Sequence, residues 1–389
     1  EPLRTGEKGG ALLDVLDVTT TPMGGRLLRR WVLEPLIHIE DICVRHGAVE
    51  EFVERPDVRR RIRGSLSGIT DLERLAGKVG TGRVTPRDLA GLGRSLEQLP
   101  EIQAAGIEAK DSMIRECAVD KDCLEDVSAL LKRAISDDPP ATLQEGGVVK
   151  KGWSEDLDEL RAVRDGARDF IASLQVRERE RTGVASLKVG FNKVFGYYLE
   201  VTRANLDKVP VDYVRKQTLT NAERYFTPEL KEWEEKVFGA EDRISHLETE
   251  LFSDIRGRVA MEIGRLQDTA ARIATLDVLV SFAEIAASQN YVRPEIHSGF
   301  ELELVASRHP VVETMMPREK FIPNDICLNE NGWIVVLTGP NMAGKSTVLR
   351  QVGLIQLLAQ IGSFVPADQA RIPVADRIFT RVGASDNLA

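Results

Sequence analysis

The sequence predicts a multidomain protein of α plus α/β class: a helical body, a pair of long helices carrying a small β-rich insertion, and part of an α/β domain. Three observations lead there. Apolar residues recur at helical spacing in two long stretches, near residues 155–181 and 228–273. The segment between them, residues 184–227, alternates like strands. Near the end of the chain an apolar run leads into a glycine-rich loop and then a helical pattern. At 389 residues the chain exceeds one ordinary domain, so two to four units are expected.

Composition narrows the function classes. With 42% apolar and 29% charged residues, the chain fits a soluble globular protein with sizeable cores. No run of about 18 apolar residues occurs, so no membrane span is expected. The chain opens on Glu1 with no signal peptide and reads as an excised piece of a longer protein. Cys43, Cys117, Cys123 and Cys327 form no CxxC pair, which argues against a zinc site or a disulfide framework and fits a reducing cytoplasm. The five histidines are dispersed, so no metal cluster is expected. A net charge of −9 has the wrong sign for a nucleic-acid binder. Affinity for phosphate follows the placement of basic side chains, however, and not the chain total.

Residues 1–152 read as a helical core. Leu12, Leu13, Val15 and Leu16 begin one helical pattern, and Met23 to Val32 continue it after Thr19-Thr20-Thr21-Pro22. Thr85-Pro86 is an N-cap with proline at the first helical position.

Residues 153–183 read as one long outgoing helix. Ser154 caps it, Glu155 and Asp156 put negative charge in its first turn, and Gly183 ends it. Leu157, Leu160, Val163, Ala167, Phe170 and Leu174 form its apolar stripe. About 28 residues at roughly 1.5 Å each give an arm of roughly 40 Å. Residues 228–296 return. Thr227-Pro228-Glu229 is another cap, and Leu230, Val237, Ile244 and Leu251 are spaced by heptads. Ile255, Val259, Ile263, Leu266 and Ile273 extend the stripe. Two such helices should lie antiparallel, and periodicity alone does not separate a functional arm from an ordinary helical hairpin.

Residues 184–227 lose the helical period. Leu187, Val189 and Phe191, then Tyr197, Leu199 and Val201, alternate, with Gly190, Asn192 and Gly196 as turn formers. Four of the five tyrosines lie here. Between Arg181 and Lys231 there are nine Lys or Arg against five Asp or Glu, a reversed patch on an acidic chain. A basic β unit at the end of an arm suits a phosphate backbone, with Lys188, Asn192, Lys193, Arg215, Lys216 and Arg224 as candidates. Taken one by one, each is equally a solubilising surface residue.

Residues 297–389 carry the chemistry. Gly332 to Thr338 has strand character and runs into Gly339-Pro340-Asn341-Met342-Ala343-Gly344-Lys345-Ser346, which fits G-x-x-x-x-G-K-[ST]. Thr347 to Leu358 reads as the helix that the motif requires. The glycines let backbone N–H groups turn toward phosphate oxygens, and the helix start adds its positive end. Lys345 should reach the β- and γ-phosphates of ATP, and the Ser346 hydroxyl should coordinate Mg²⁺. Hydrolysis also needs an acidic residue at the end of a later strand. Asp376 and Asp386 lack that setting, so the chain is expected to bind nucleotide weakly and to hydrolyse it poorly or not at all.

At this point the sequence resembles the MutS family of DNA mismatch-repair proteins. Thr338 to Thr347 resembles that family's phosphate loop, including its Pro340-Asn341-Met342 interior. Ser307-Arg308-His309-Pro310-Val311-Val312 and Phe321-Ile322-Pro323-Asn324 are similar to its adenine-side elements, and Arg377 to Asp386 to a later segment of the same domain. Thr21 to Trp31 resembles the start of its helical core, Leu187–Asn192 with Gly196–Tyr198 the opening of its DNA clamp, and Gln217 to Tyr225 the later clamp strands.

The resemblance implies a core with a coiled lever, a β-rich clamp at residues 184–227, and an incomplete P-loop ATPase domain of ABC type at residues 297–389. It implies that Phe321 stacks on adenine, that Asn341 and Thr347 belong to the phosphate site, and that the clamp residues grip duplex DNA without reading sequence. It leaves His309 open between a site role and local capping. It further implies a homodimer in the full-length protein, a downstream MutL-type repair factor, and a bacterial, nucleoid-associated cytoplasmic location. The family's mismatch reader and connector do not precede Glu1 here, its acidic Mg²⁺ strand, signature loop and dimerising helices would follow Ala389, and members that keep the clamp but lack the mismatch reader stay open. Two rivals remain at this point. A coiled-arm chromosome-maintenance ATPase predicts a far longer arm, and a non-hydrolysing helical scaffold predicts no salt-dependent DNA affinity.

Overall fold

A computed structural model of the chain describes residues 10–119, 122–192, 194–317, 320–340 and 344–380. The expected site residues Lys193, Asn341, Met342 and Ala343, and Asp386 with them, lie outside the described residues. The helices α1 (Leu12–Leu16), α2 (Pro22–Leu33), α3 (Ile39–Glu54), α4 (Pro56–Leu66), α5 (Leu72–Gly80), α6 (Pro86–Leu96), α7 (Leu99–Ile107), α8 (Ser112–Ala118) and α9 (Glu125–Ala134) come first. They are followed by α10 (Glu155–Thr182), strands β1 (Lys188–Asn192), β2 (Gly196–Thr202), β3 (Val214–Thr218) and β4 (Ala222–Phe226), then α11 (Pro228–Met261) and α12 (Ile263–Gln289). The last stretch alternates: β5 (Glu295–His297), β6 (Leu302–Ser307), α13 (Val312–Met315), β7 (Asn324–Leu328), α14 (Lys345–Ile361) and β8 (Gln369–Pro373).

The chain divides into two units. One holds Glu1–Arg83, Gly91–Ser128 and Ala260–Ala389; the other holds Val84–Ala90 and Ala129–Val259. In the first, α12 is the central element, with α2, α3, α5 and α8 packed around it. Leu276, Val278, Leu279, Val280, Phe282 and Ala283 are all buried, so this stretch of the helix is enclosed on every side. Its one buried carboxylate, Asp277, accepts bonds from the Thr20 and Thr21 N–H groups and from both hydroxyls. The Thr21 hydroxyl also caps α2 by accepting from the Gly24 N–H at 3.0 Å. That arrangement explains the Thr-Thr-Thr-Pro break at residues 19–22.

The sheet of the first unit has the order β5-β8-β6-β7, with β5 parallel to β8 and the other pairs antiparallel. The C-terminal end of α14 is fastened to the helical core. Gln360 exchanges bonds with Leu36, its Nε2 donating to the Leu36 carbonyl at 2.7 Å and its own carbonyl accepting from the Leu36 N–H at 3.0 Å. Arg45 on α3 donates to the Ile361 carbonyl at 2.9 Å while its guanidinium lies 3.4 Å from the centre of the Trp31 ring.

Two sequence expectations are corrected here. The strand expected over Gly332–Thr338 does not form; Gly332 only bridges to Asn329, and residues 334–340 carry no regular structure. A central strand of an α/β sheet exists through hydrogen bonds to neighbours on both sides, and this run pairs with no strand among the described residues. Ile334 and Val336 are accordingly about four-fifths exposed (82% and 78%). The apolar stripe from Leu230 to Ile273 predicts one helix, but Glu262 leaves helical torsions (φ −101°, ψ 13°) and separates α11 from α12. A one-residue interruption leaves the period of the stripe intact, so the pattern alone does not reveal it.

In the second unit α10 and α11 run antiparallel. The ion pairs Arg177–Glu229, Arg168–Glu241 and Arg161–Glu248 show it, since one number falls as the other rises. Ser154 accepts from the Leu157 N–H to cap α10, and Gly183 ends it in the left-handed region at φ 65°. Val163, expected on the buried stripe, is instead 54% exposed, and apolar packing gathers at the two ends of the helix pair. At the near end Glu248 is wholly buried, accepting from the Gly147 N–H at 2.8 Å and from Arg161. At the far end Ala167, Ile171, Leu174, Leu230 and Val237 meet Leu187, Leu199, Val201, Tyr213 and Tyr225 of an antiparallel sheet ordered β1-β2-β4-β3.

Candidate nucleotide site and candidate nucleic-acid face

The start of α14 carries the glycine-rich turn that the sequence singles out. Gly344 precedes it at φ 85°, a left-handed conformation open to glycine, and no side chain caps the helix. Among the described residues, the N–H groups of the first turn meet no side-chain cap, and they point along the positive end of a helix that is 17 residues long. The Lys345 Nζ donates to the carbonyls of Gly339 at 2.7 Å and Pro340 at 2.6 Å. Ser346 and Thr347 follow in the same turn, both partly exposed.

Behind the helix lies a hydrogen-bonded scaffold. Arg308 donates to Glu313 at 2.7 Å and to the Gln289 carbonyl at 3.2 Å, and the Tyr291 hydroxyl donates to the other Glu313 oxygen at 2.8 Å. His309 is buried, and its Nδ1 accepts from the N–H groups of Val311 and Val312 at 3.2 Å. Burial, and then the nearby Arg350, push the imidazole down to about 4, so it is neutral at physiological pH. His309 thus satisfies two backbone N–H groups at the entry to α13.

Phe321 is partly buried in the segment that leads into β7. Asn324, at the start of that strand, donates through Nδ2 to the Ile322 carbonyl at 3.1 Å. Its own carbonyl accepts from the Ser307 hydroxyl at 2.6 Å, and Ser307 in turn accepts from Gln351 Nε2 of α14 at 2.7 Å. Sequence reasoning placed Ser307 in the adenine-side element but missed Gln351. A single glutamine in a helical pattern resembles a surface residue until its burial is known.

In the second unit, the sheet turns one face to the helices and one outward. A cross-strand row on the outer face runs Lys188, Glu200, Arg224, Gln217 over all four strands. Arg224 is committed within it. Nε donates to Glu200 and Nη1 to Gln217, both at 3.0 Å, and the guanidinium lies 4.1 Å from the centre of the Tyr198 ring. Tyr198 lies across Gly190, where a Cβ would come within 2.7 Å of the ring. Lys188 is exposed, and Arg215 keeps 64% of its side chain exposed beside Glu223 at 3.7 Å. Lys216 lies with its amine 5.5 Å from the Phe226 ring centre. Asn192 acts as a turn former, its Oδ1 accepting from the N–H groups of Val194 and Phe195. Among the described residues no metal-binding cluster occurs, and no helix is long and apolar enough to cross a membrane.

Residues 1–283 match the family description MutS domain III, and residues 335–389 match MutS domain V. The chain belongs to the MutS family. It is 51% identical over its whole length to the DNA mismatch repair protein MutS of Symbiobacterium thermophilum, covering 44% of that protein. It is 49% identical to the MutS of Ruminiclostridium cellulolyticum, covering 45% of it, and 50% identical over 98% of its length to that of Salinibacter ruber, covering 42%. The chain thus spans a little under half the length of the curated MutS relatives it matches. The coiled-arm chromosome-maintenance and scaffold readings gain no support from these matches.

Proposed function

We propose that this chain is the part of an ATP-dependent DNA mismatch-repair protein that grips the DNA backbone and cradles the phosphates of ATP. The observation that carries the reading is the start of α14: a left-handed Gly344, an uncapped helix end, and Lys345 held over the loop by two carbonyls that a phosphate would displace. The residues suit ATP with Mg²⁺. Backbone N–H groups at the helix start would take phosphate oxygens, Lys345 the β- and γ-phosphates, and the Ser346 hydroxyl the cation. Bound Mg²⁺ supplies charge neutralisation on the phosphates. Phe321, Asn341 and Thr347 complete the proposed nucleotide site, with Phe321 against the adenine.

The duplex side of the proposal rests on the basic residues of the β1-β2-β4-β3 sheet. Lys188, Arg215 and Lys216 have ammonium or guanidinium groups placed for phosphates, and Lys193 belongs to the same edge in sequence. The proposed assembly is a homodimer in the full-length protein, acting on mismatched duplex DNA in the bacterial cytoplasm and signalling to a MutL-type factor.

The test is competition of ATP against a fluorescent ATP analogue with the chain and with Lys345→Ala. A fall in ATP affinity of about tenfold or more in the variant, with stability unchanged, supports the reading. Equal affinity in both proteins overturns it.

A further inference from the structure

The buried amide of Gln351 lies where no phosphate or base reaches it, yet it joins the two ends of the proposed nucleotide site. Gln351 is fully buried in α14, about 9 Å along the helix from Lys345 at 1.5 Å per residue. Its Nε2 donates to the Ser307 hydroxyl at 2.7 Å, while its Oε1 has no hydrogen-bond partner among the described residues. An aliphatic side chain of similar size would fill the place without burying an unpaired oxygen. The amide is therefore explained by what its donor holds.

Ser307 passes the connection on. Its single hydroxyl proton goes to the Asn324 carbonyl at 2.6 Å, so the direction of the relay is fixed from Gln351 to Ser307 to Asn324. Backbone strain aims the serine. The β6–β7 register shifts between Leu304 and Ser307, and Ala306 within that bulge sits at φ 48°, with its N–H donating to Asp325 at 2.7 Å. A non-glycine residue in the left-handed region is held there by its surroundings, and bulges of this kind re-aim the next side chain. From Asn324 the chain runs back through Pro323, whose ring fixes φ, and Ile322, whose carbonyl accepts from Asn324 Nδ2, to Phe321. The helix that begins at the phosphates is thus tied through two short bonds to the segment that carries Phe321.

We infer that Gln351 is a positioning residue that sets the distance between the phosphate-binding turn and Phe321, so that it governs recognition of the nucleotide base and leaves the hold on phosphate untouched. The inference rests on the proposed nucleotide site. Removing either hydrogen bond frees the Phe321 segment from α14, while Gly344, Lys345 and Ser346 keep their places.

The test uses Gln351→Leu and Ser307→Ala, with Ser307→Thr as the variant that keeps the hydroxyl. Competition binding is measured for three probes: ATP, GTP and inorganic tripolyphosphate. The expected result is a loss of about tenfold in ATP affinity and of the ATP-over-GTP preference in Gln351→Leu and Ser307→Ala. Tripolyphosphate affinity stays within about twofold of the parent, and Ser307→Thr recovers the preference. Equal losses for ATP and tripolyphosphate show a merely structural role and overturn the inference, as does an unchanged ATP-over-GTP preference. A parent chain that binds neither ATP nor tripolyphosphate overturns the nucleotide site itself, and the inference with it.

Discussion

The Asp277 carboxylate, wholly enclosed in α12, accepts from the Thr21 hydroxyl at 2.6 Å and from the Thr21 N–H at 2.7 Å. One buried charge thereby joins the last long helix of the core to the start of α2, more than 250 residues earlier in sequence. A Cβ on Gly24 would stand 2.3 Å from the same carboxylate, so the glycine is required by close approach.

Asp277→Ala removes the acceptor for four donors that stay buried or half-buried, and is expected to cost about 3 kcal/mol. Urea denaturation should show a lower midpoint with the slope preserved. Gly24→Ala should destabilise by clashing with the carboxylate, and the two changes should be less than additive because they share one contact. Additive effects would show that Gly24 and Asp277 are not coupled.

Acid should weaken the first unit through two histidines. His46 is pushed down to about 4 by burial and then by Arg293, and His309 to about 4 by burial and then by Arg350. Both groups lie below their unfolded value of 6.5, so the unfolded chain binds the extra protons. Their contribution is complete above about pH 6.5 and is lost as pH falls toward 4. Between pH 7 and 5 each should account for about 2 kcal/mol. In His46→Leu, urea midpoints at the two pH values should differ by about half as much as in the parent; an unchanged difference would assign the acid sensitivity elsewhere.

Salt dependence should separate the basic residues of the β1-β2-β4-β3 sheet. Lys188→Ala and Arg215→Ala should each lower the slope of log affinity against log salt for duplex DNA by about one. Arg224→Ala should lower stability more than the salt slope, because its guanidinium is already held by Glu200, Gln217 and the Tyr198 ring and only 18% of its side chain is exposed. If Arg224→Ala changes the slope as much as Lys188→Ala, its committed hydrogen bonds are exchanged for phosphate.

What was legible in the sequence was local. Ser154 and Gly183 mark the ends of α10 because a cap and a left-handed glycine act within one turn of the residues they serve. Gly344-Lys345-Ser346 was legible for the same reason. The alternation of Leu199 and Val201 correctly indicates their burial, since a strand shows its faces in its own sequence. What failed depended on distant partners. The run Ile334–Leu337 is apolar and strand-like in composition, yet a strand is made by its neighbours. Gln351 gave no signal because its partner, Ser307, lies 44 residues away. Arg224 looked as available as Lys188 until the register set it between Glu200 and Gln217.

On the proposed function, this chain holds duplex DNA by its backbone through the sheet at the end of the α10–α11 pair. The most direct measurement is fluorescence anisotropy of a labelled duplex, matched and singly mismatched, titrated with the chain at several salt concentrations. Phosphates are the same in both duplexes, so equal affinity for the two is expected, falling steeply as salt rises. A clear preference for the mismatched duplex, or binding that ignores salt, would contradict it.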